Sequence, residues 1–471
     1  MMTATNHFDL IIVGGGTAGF AAALTANKLQ ARTLLVNDNA VGFAGTCVNV
    51  GCVPTKHLLY IGELIHKIKK HNFEGLTSSV AFDFPTVMEE KDKLVETLRS
   101  KDQLTFERYS NVHFVAGTAI FISETEIQVA GDRFTADRFI IATGSSTNTP
   151  SIEGLSKVKY LTNVEALQLK KLPASMIIIG GGALGIEFAQ MFSRFGSKVC
   201  VLQRADRIVP REESELAHLL MLYLQDEGIK ICTKVDVSGV VQEGSEIVVT
   251  AIIDGKKRSW RAEELLIATG RRPNTAKLGL ENVGVALGRE GQIIVNNEMQ
   301  AAAHVWAAGD VTGEPMLETV AAKEGAIAAT NALTKNGNKE RMDYSIVPHA
   351  VFTDPQLAGV GLTDEWASER GGQCRCTTVS MEHVTKAKLI KDTRGAIKVV
   401  IDEDTQRIIG VHLLAPQGAD LLHEGLMVVK NEMTVDEVAE TRHIFPTLSD
   451  VTKKAAQALK WDVATMHSCS D

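Results

Sequence analysis

Phe8-Asp9-Leu10-Ile11-Ile12-Val13-Gly14-Gly15-Gly16-Thr17-Ala18-Gly19 is the stretch that decides the fold of this 471-residue chain. A short apolar run enters a loop of the form Gly14-x-Gly16-x-x-Gly19, and an Ala-rich helix from about Phe20 to Gln30 leaves it. Glycines at that spacing allow a tight turn, close approach of backbone to a pyrophosphate, and close packing of helix on strand. The phosphate then sits on the helix N-terminus. A second strand, Thr33 to Val36, follows. Its end is expected to carry an acid for the ribose hydroxyls; here it carries Asn37, with Asp38 next to it, as the candidate ribose contacts.

The same plan returns 166 residues later. Met176 to Ile179 is apolar, Gly180-x-Gly182-x-x-Gly185 follows, a helix runs from Ile186 to about Phe195, and Lys198 to Leu202 is the next strand. The chain therefore reads as two βαβ nucleotide-binding units. Ile140-Ile141-Ala142-Thr143-Gly144 closes the first, and Leu265-Leu266-Ile267-Ala268-Thr269-Gly270 the second. At the second strand end stands Gln203, followed by Arg204, Arg207 and Arg211. A carboxylate there would repel a 2′-phosphate, whereas arginines bind it bidentately, so NADPH is favoured over NADH. Val305-Trp306-Ala307-Ala308-Gly309-Asp310 reads as a strand ending in Gly-Asp. From about Asp343 strand-like runs (Ala396 to Ile401, Ile408 to Leu414) alternate with amphipathic helices (Leu421 to Asn431, Leu448 to Leu459), a third domain.

Composition narrows the function classes. A net charge of −8 disfavours nucleic acid or an acidic membrane surface as partner, since either wants a concentrated basic patch. No apolar run approaches the roughly 18–20 residues of a membrane helix. The first residues have no basic n-region and cleavage site, and seven scattered cysteines are not a disulfide scaffold, so a cytoplasmic location is expected.

The chemistry centres on Gly45-Thr46-Cys47-Val48-Asn49-Val50-Gly51-Cys52-Val53-Pro54-Thr55-Lys56. Two cysteines five apart near a helix start can form a disulfide within reach of a bound flavin, and a helix N-terminus favours the reactive thiolate.

These motifs make the chain resemble the class I pyridine nucleotide–disulfide oxidoreductases, which include glutathione reductase, dihydrolipoyl dehydrogenase and mercuric reductase. The likeness runs through the Thr-Cys-Val-Asn-Val-Gly-Cys-Val-Pro stretch, both glycine loops, both Ala-Thr-Gly segments, Ala-Ala-Gly-Asp310 and Phe352-Thr353-Asp354-Pro355. It implies an α/β fold with two Rossmann-like three-layer domains, for FAD (1–149 and 272–342) and NAD(P)H (150–271). A C-terminal α+β dimerisation domain (343–471) with a cysteine tail would follow. It implies electron flow from NADPH to FAD to Cys47–Cys52 to substrate, with Cys52 facing the flavin and Cys47 the exchange thiol. Lys56 and Glu187 look like the family's ion pair beside the flavin ring, and Asp310 like the ligand of its ribityl chain. Gly45, Thr46, Thr143, Gly144 and Gly270 fall at cofactor-contacting positions. The family forms homodimers whose active sites are shared across subunits.

One departure selects among its branches. Disulfide reductases of the family carry a catalytic His before Pro-Thr, a general acid/base for a leaving thiolate, with a Glu five residues on. This chain reads His443-Ile444-Phe445-Pro446-Thr447-Leu448-Ser449-Asp450. Phe445 occupies the base position and cannot move a proton; Asp450 stands where the Glu would be. His443, two residues early, reads as a structural or surface residue. A soft cation suits thiolate ligands and leaves no thiol product to protonate. The likeness is thus greatest to the mercuric reductase branch, with Hg(II), arriving as thiolate complexes, as the metal-ion substrate held by Cys47 and Cys52. That branch ends in a cysteine pair that relays metal to the other subunit; in register with it fall Ser468 and Cys469. A tyrosine of that branch is absent at Phe445, and a second falls near Gln103, with Tyr109 close by. The other readings are a dihydrolipoyl dehydrogenase-like or other disulfide reductase, and a redox-sensing flavoprotein without turnover. Cys374-x-Cys376 could hold a soft metal but reads rather as a surface-loop coincidence, and Cys200 and Cys232 as core or strand thiols.

Overall fold

The structure, a computed structural model, describes residues 6–38, 40–253, 255–334, 337–369 and 374–461. The chain divides into two compact units, one of residues 1–55, 88–148 and 270–343, the other of 56–87, 149–269 and 344–471.

The first unit is built on a parallel core. His7–Val13 pairs on one side with Thr33–Asn37 and on the other with Asp132–Ile141. Val112–Ala116 extends the sheet beyond Thr33–Asn37, and Val305–Ala307 joins on the far side of Asp132–Ile141. Leu10, Ile11 and Ile12 are fully buried, as a strand covered on both faces requires. The glycine-loop helix is Thr17–Lys28 and starts three residues before the hydrophobic pattern does. Gly16 is its N-cap in extended conformation, so Thr17 to Gly19 already belong to the first turn. The helix Glu318–Leu333 lies against it, and a Cβ on Gly325 would meet the carbonyl oxygen of Ala18 at 2.1 Å. A hairpin of Ala119–Ser123 and Glu126–Val129 continues antiparallel onto Asp132–Ile141.

The second unit repeats the plan once. Ser175–Ile179 is flanked in parallel by Lys198–Leu202 and Glu264–Ile267, with Lys230–Cys232 outside Lys198–Leu202. The helix Ala183–Phe195 begins at Gly182, again earlier than Ile186 for the same reason. The three-stranded antiparallel sheet Asp236–Glu243, Glu246–Ile253 and Lys256–Ala262 shares a core with the parallel sheet through Leu202, Val249, Trp260 and Leu265. The C-terminal part of this unit is a five-stranded antiparallel sheet with the helices Gly418–Lys430, Val435–Glu440 and Asp450–Gln457 packed on one core. It is α+β, as expected. No helix among the described residues is long and apolar enough to cross a membrane.

Candidate active site

The two glycine loops are near copies. A Cβ on Gly14 would lie 2.2 Å from the Ala142 carbonyl oxygen, and one on Gly180 2.2 Å from that of Ala268. Both have φ near +114°, which disfavours L side chains. A Cβ on Gly19 would meet Gly14 O at 1.9 Å, and one on Gly185 would meet Gly180 O at 2.0 Å. Each helix therefore packs against its own loop without room for a methyl group. Gly182 has open space where its Cβ would be, and neither Gly16 nor Gly182 offers a side-chain cap. The first-turn N–H groups are thus left for a diphosphate, which fits a dinucleotide at each loop.

The strand-end residues act alike. The Gly15 N–H donates to Asn37 Oδ1 (3.2 Å), and the Gly181 N–H to Gln203 Oε1 (3.0 Å). Both amides hold their loop by a bond an acid could also accept. Asp38 Oδ1 accepts the Ala40 N–H. Arg207 pairs with Glu365 (2.9 Å) and donates to the Pro210 carbonyl. Arg204 and Arg211 are exposed.

In the first unit the cysteine segment crosses the first loop closely. A Cβ on Gly45 would come within 2.6 Å of Gly16 Cα. Cys47 lies in the short helix Gly45–Val50, and Cys52 opens the helix Cys52–Lys69. Gly51 joins them. A side chain there would start 2.8 Å from Thr46 O and 3.2 Å from Cys47 Cα, so the turn that returns Cys52 to Cys47 needs glycine. The Cys47 thiol is pushed well up, first by its hydrogen bond with Cys52, then by burial and by the charges of Cys52 and Glu318. Of the two, Cys52 is the more exposed.

Asp310 is fixed from two sides. Ser145 Oγ donates to Asp310 Oδ2 (2.5 Å), and Arg271 Nε donates to Ser145 Oγ (2.7 Å) and lies 3.7 Å from the carboxylate. Burial lowers the Arg271 pKa against the opposing pull of Asp310. The Gly309 N–H donates to buried Glu324 (2.6 Å). Sequence reading missed Ser145, Arg271 and Glu324; their only signal was position directly after an Ala-Thr-Gly segment or in the helix after Gly-Asp. Thr143, Gly144 and Gly270 form the junctions there: Thr143 bonds Asn274, Gly144 O accepts the Asn274 N–H, and Gly270 O accepts that of Asn148. Tyr109 packs with Phe20 and Phe106.

In the second unit Lys56 Nζ lies 2.8 Å from Glu187 Oε2. Glu187 is buried, and its other oxygen accepts the Phe352 N–H at 2.8 Å. The ammonium also sits 4.6 Å from the centre of the Phe352 ring. Next to Phe352, buried Asp354 pairs with Arg194 (2.8 Å) and Arg394 (2.9 Å), a network the sequence did not disclose.

The C-terminal part places Phe445 half in solvent, 46% exposed, beside Ile444 at 81%. His443 is spoken for: Nε2 bonds Glu424 (2.5 Å) and Nδ1 faces the Thr441 carbonyl (3.1 Å). The Glu424 hydrogen bond raises its pKa. Asp450 pairs with Lys454 at 3.6 Å. Ser468 and Cys469 lie outside the described residues.

One cysteine reading needs correction. Cys374 and Cys376 are on a strand, Cys374–Ser380, not in a loop, because the segment pairs antiparallel with Ala396–Asp402. Their sulfurs have separate partners, Ser368 and Asp364. Cys200 and Cys232 are half-buried strand thiols, and they are hydrogen-bonded to each other. That bond pushes Cys200 well up, reinforced by burial, and brings Cys232 down to about 6. Among the described residues no group of three or more His, Cys, Asp or Glu is placed to hold a metal ion.

Comparison with known proteins agrees with this layout. The family model described as pyridine nucleotide-disulphide oxidoreductase matches residues 8–325, and that of the family's dimerisation domain matches 347–456. Mercuric reductase of Streptomyces lividans is 37% identical over the whole of both chains. That of Bacillus cereus is 35% identical, covering 98% of this chain and 73% of its own. Mitochondrial dihydrolipoyl dehydrogenase of Pisum sativum is 32% identical, over 96% of this chain and 91% of its own. Among solved structures, the Cu(II) complex of the HOCl-induced flavoprotein disulfide reductase RclA from Escherichia coli superposes with a TM-score of 0.86 and 29% identity, over 96% of this chain and 100% of that one. With both family models matched and relatives above 30% identity along nearly its full length, the chain belongs to the pyridine nucleotide–disulfide oxidoreductase family, an oxidoreductase that uses FAD and NAD(P)H and carries the family's dimerisation domain.

Proposed function

We propose that this flavoenzyme uses NADPH to reduce Hg(II) to Hg(0) at the Cys47–Cys52 pair, as a mercury-detoxifying enzyme. The balance is NADPH + Hg²⁺ → NADP⁺ + H⁺ + Hg(0). FAD, held by the Gly14–Gly19 loop, Gly45–Thr46, Thr143–Gly144 and Asp310 with Asn37 and Asp38 at its ribose, would relay the two electrons. NADPH would lie on the Gly180–Gly185 loop, with Arg204 and Arg211 toward its 2′-phosphate and Gly270 at the edge. Lys56, fixed by Glu187, would set the charge beside the flavin ring.

The observation that carries the metal reading is the loss of a proton donor. Phe445 stands at the acid/base position, and His443, two residues away, has both ring nitrogens engaged. A disulfide substrate leaves as a thiolate that must be protonated; a metal ion does not. Two thiolates at a soft cation match in hardness and charge. Cys469 would deliver Hg(II) from the partner subunit. The full-length likeness to dihydrolipoyl dehydrogenase supports a second reading, a low-molecular-weight disulfide reductase.

One assay separates them. NADPH oxidation is measured with Hg(II) in excess small thiol, beside oxidised lipoamide and glutathione disulfide. Stimulation by Hg(II) with release of volatile mercury is expected. Turnover of a disulfide without stimulation by Hg(II) would overturn the metal reading.

A further inference from the structure

Cys200 and Cys232 lie on neighbouring parallel strands, Lys198–Leu202 and Lys230–Cys232, in the register Lys230↔Cys200 and Cys232↔Leu202. They are thus offset by two residues and point to one face, the face shared with the antiparallel sheet and Trp260. Their thiols are hydrogen-bonded to each other, and Trp260 bonds the Cys232 sulfur. We infer that these two thiols form a second, two-coordinate site for a soft cation of the Hg(II) or Cu(I) type, and that filling it loosens the NAD(P)H loop.

Geometry separates this from a structural disulfide. Strands about 4.8 Å apart with a rise of about 3.3 Å per residue put diagonal Cα atoms about 8 Å apart. A disulfide wants about 5.5–6 Å and fails beyond about 7 Å without backbone movement. A linear S–M–S bridge with metal–sulfur bonds of about 2.3 Å, the length of a zinc thiolate, spans about 4.6 Å between sulfurs. Two thiols on one face of adjacent strands reach that by side-chain rotation. Binding forms two M–S bonds and releases the protons the thiols carry, with no change of oxidation state. The bis-thiolate complex of a divalent ion is neutral, so Lys230 and Arg258 nearby do not oppose it. Ions that need three or four ligands have none here among the described residues.

The link to the nucleotide loop runs along the backbone. Cys232 O accepts the Gln203 N–H (2.8 Å), Gln203 O accepts that of Val235 (3.0 Å), and Lys234 N–H reaches Ala205 O (2.9 Å). Gln203 Oε1 in turn holds the Gly181 N–H of the loop at 3.0 Å. A shift of Cys232 on metal binding is transmitted to the residue that shapes the loop. Cys200 and Cys232 belong to the second unit and Cys47–Cys52 to the first, and the inference does not rest on the turnover proposed there.

The test uses the FAD-loaded enzyme with Cys47, Cys52, Cys374, Cys376 and Cys469 all changed to Ser, which leaves only this pair. Native mass spectrometry after Hg(II) addition, in tenfold excess of a monothiol, is expected to show one Hg per chain, lost on adding Cys232→Ser. The Kd for NADPH is expected to rise about fivefold on loading, the low end of ordinary coupling between sites. No retained metal, equal retention after Cys232→Ser, or an unchanged NADPH Kd overturns the inference. Should that variant fail to bind FAD, Hg(II) must slow alkylation of Cys200 and Cys232 in the unaltered enzyme. An unchanged rate overturns it as well.

Discussion

In the function proposed above, Phe445 removes a chemistry without disturbing the fold, and His443 does not restore it. The imidazole of His443 bridges Glu424 and the Thr441 carbonyl, so its role is to anchor the segment that presents Phe445. Its pKa is raised by Glu424. The group therefore stabilises the fold fully below about pH 6.5, its unfolded value, and loses that contribution as pH rises through its higher folded value. The thermal midpoint of Glu424→Gln is expected to fall furthest below the unaltered enzyme near pH 6 and to converge with it at alkaline pH; a gap independent of pH would contradict the assignment. Arg204 makes a separate case. With Arg207 committed to Glu365, Arg204→Ala is expected to weaken NADPH by about tenfold, the worth of one charged hydrogen bond, and NADH little. Equal loss for both nucleotides in fluorescence titrations would remove it from the 2′-phosphate. That Phe445 is no base was legible in the sequence. That His443 is held was not, since Glu424 lies nineteen residues back on another element.

At the scale of the element, the βαβ units were readable because glycine spacing and apolar runs are local signals. What escaped was long-range. The pairing of Cys374–Ser380 with Ala396–Asp402 depends on a partner strand, and Arg271 reaches Ser145 only once the chain has folded back 126 residues. Helix starts also moved, since capping by Gly16 and Gly182 is a backbone matter the hydrophobic pattern does not mark. Helix packing gives a sharp contrast between two glycines. A Cβ on Gly325 would collide with Ala18 O at 2.1 Å, backbone against backbone, in the first turn of the glycine-loop helix. Gly325→Ala is expected to cost about 1–3 kcal/mol and to lower FAD retention on dilution. Gly62 lies within the helix Cys52–Lys69, and its Cβ would touch Arg194 Cβ at an ordinary 3.6 Å. Gly62→Ala is expected to be neutral or to stabilise by up to about 1 kcal/mol through helix propensity. Denaturation midpoints with FAD release measure both, and a harmless Gly325→Ala would refute the close helix contact.

At the scale of the whole molecule, a dimerisation domain and an apolar surface go together. Ile444 at 81%, Phe445 at 46% and Trp461 at 56% are exposed in the single chain, more than a solvated face needs. Ile444→Asp is expected to shift the enzyme toward monomer in light scattering and to lower activity in parallel. Whether each site borrows from the partner can be settled by mixed dimers. Take one subunit with Cys52→Ser and one with Cys469→Ala. If the tail serves the other subunit, the mixed dimer has one complete site: intact Cys47–Cys52 from the second chain, and Cys469 from the first. It should then reduce Hg(II) delivered as thiolate complexes at half the unaltered rate. If the tail serves its own chain, the only working cysteine pair sits with the mutated tail, and the rate is half that of the Cys469→Ala homodimer. The two outcomes differ by whatever factor Cys469→Ala costs alone, so that homodimer is measured first. With weakly complexed Hg(II), which needs no relay, both arrangements give the same rate, and the difference must vanish for the relay to be the cause.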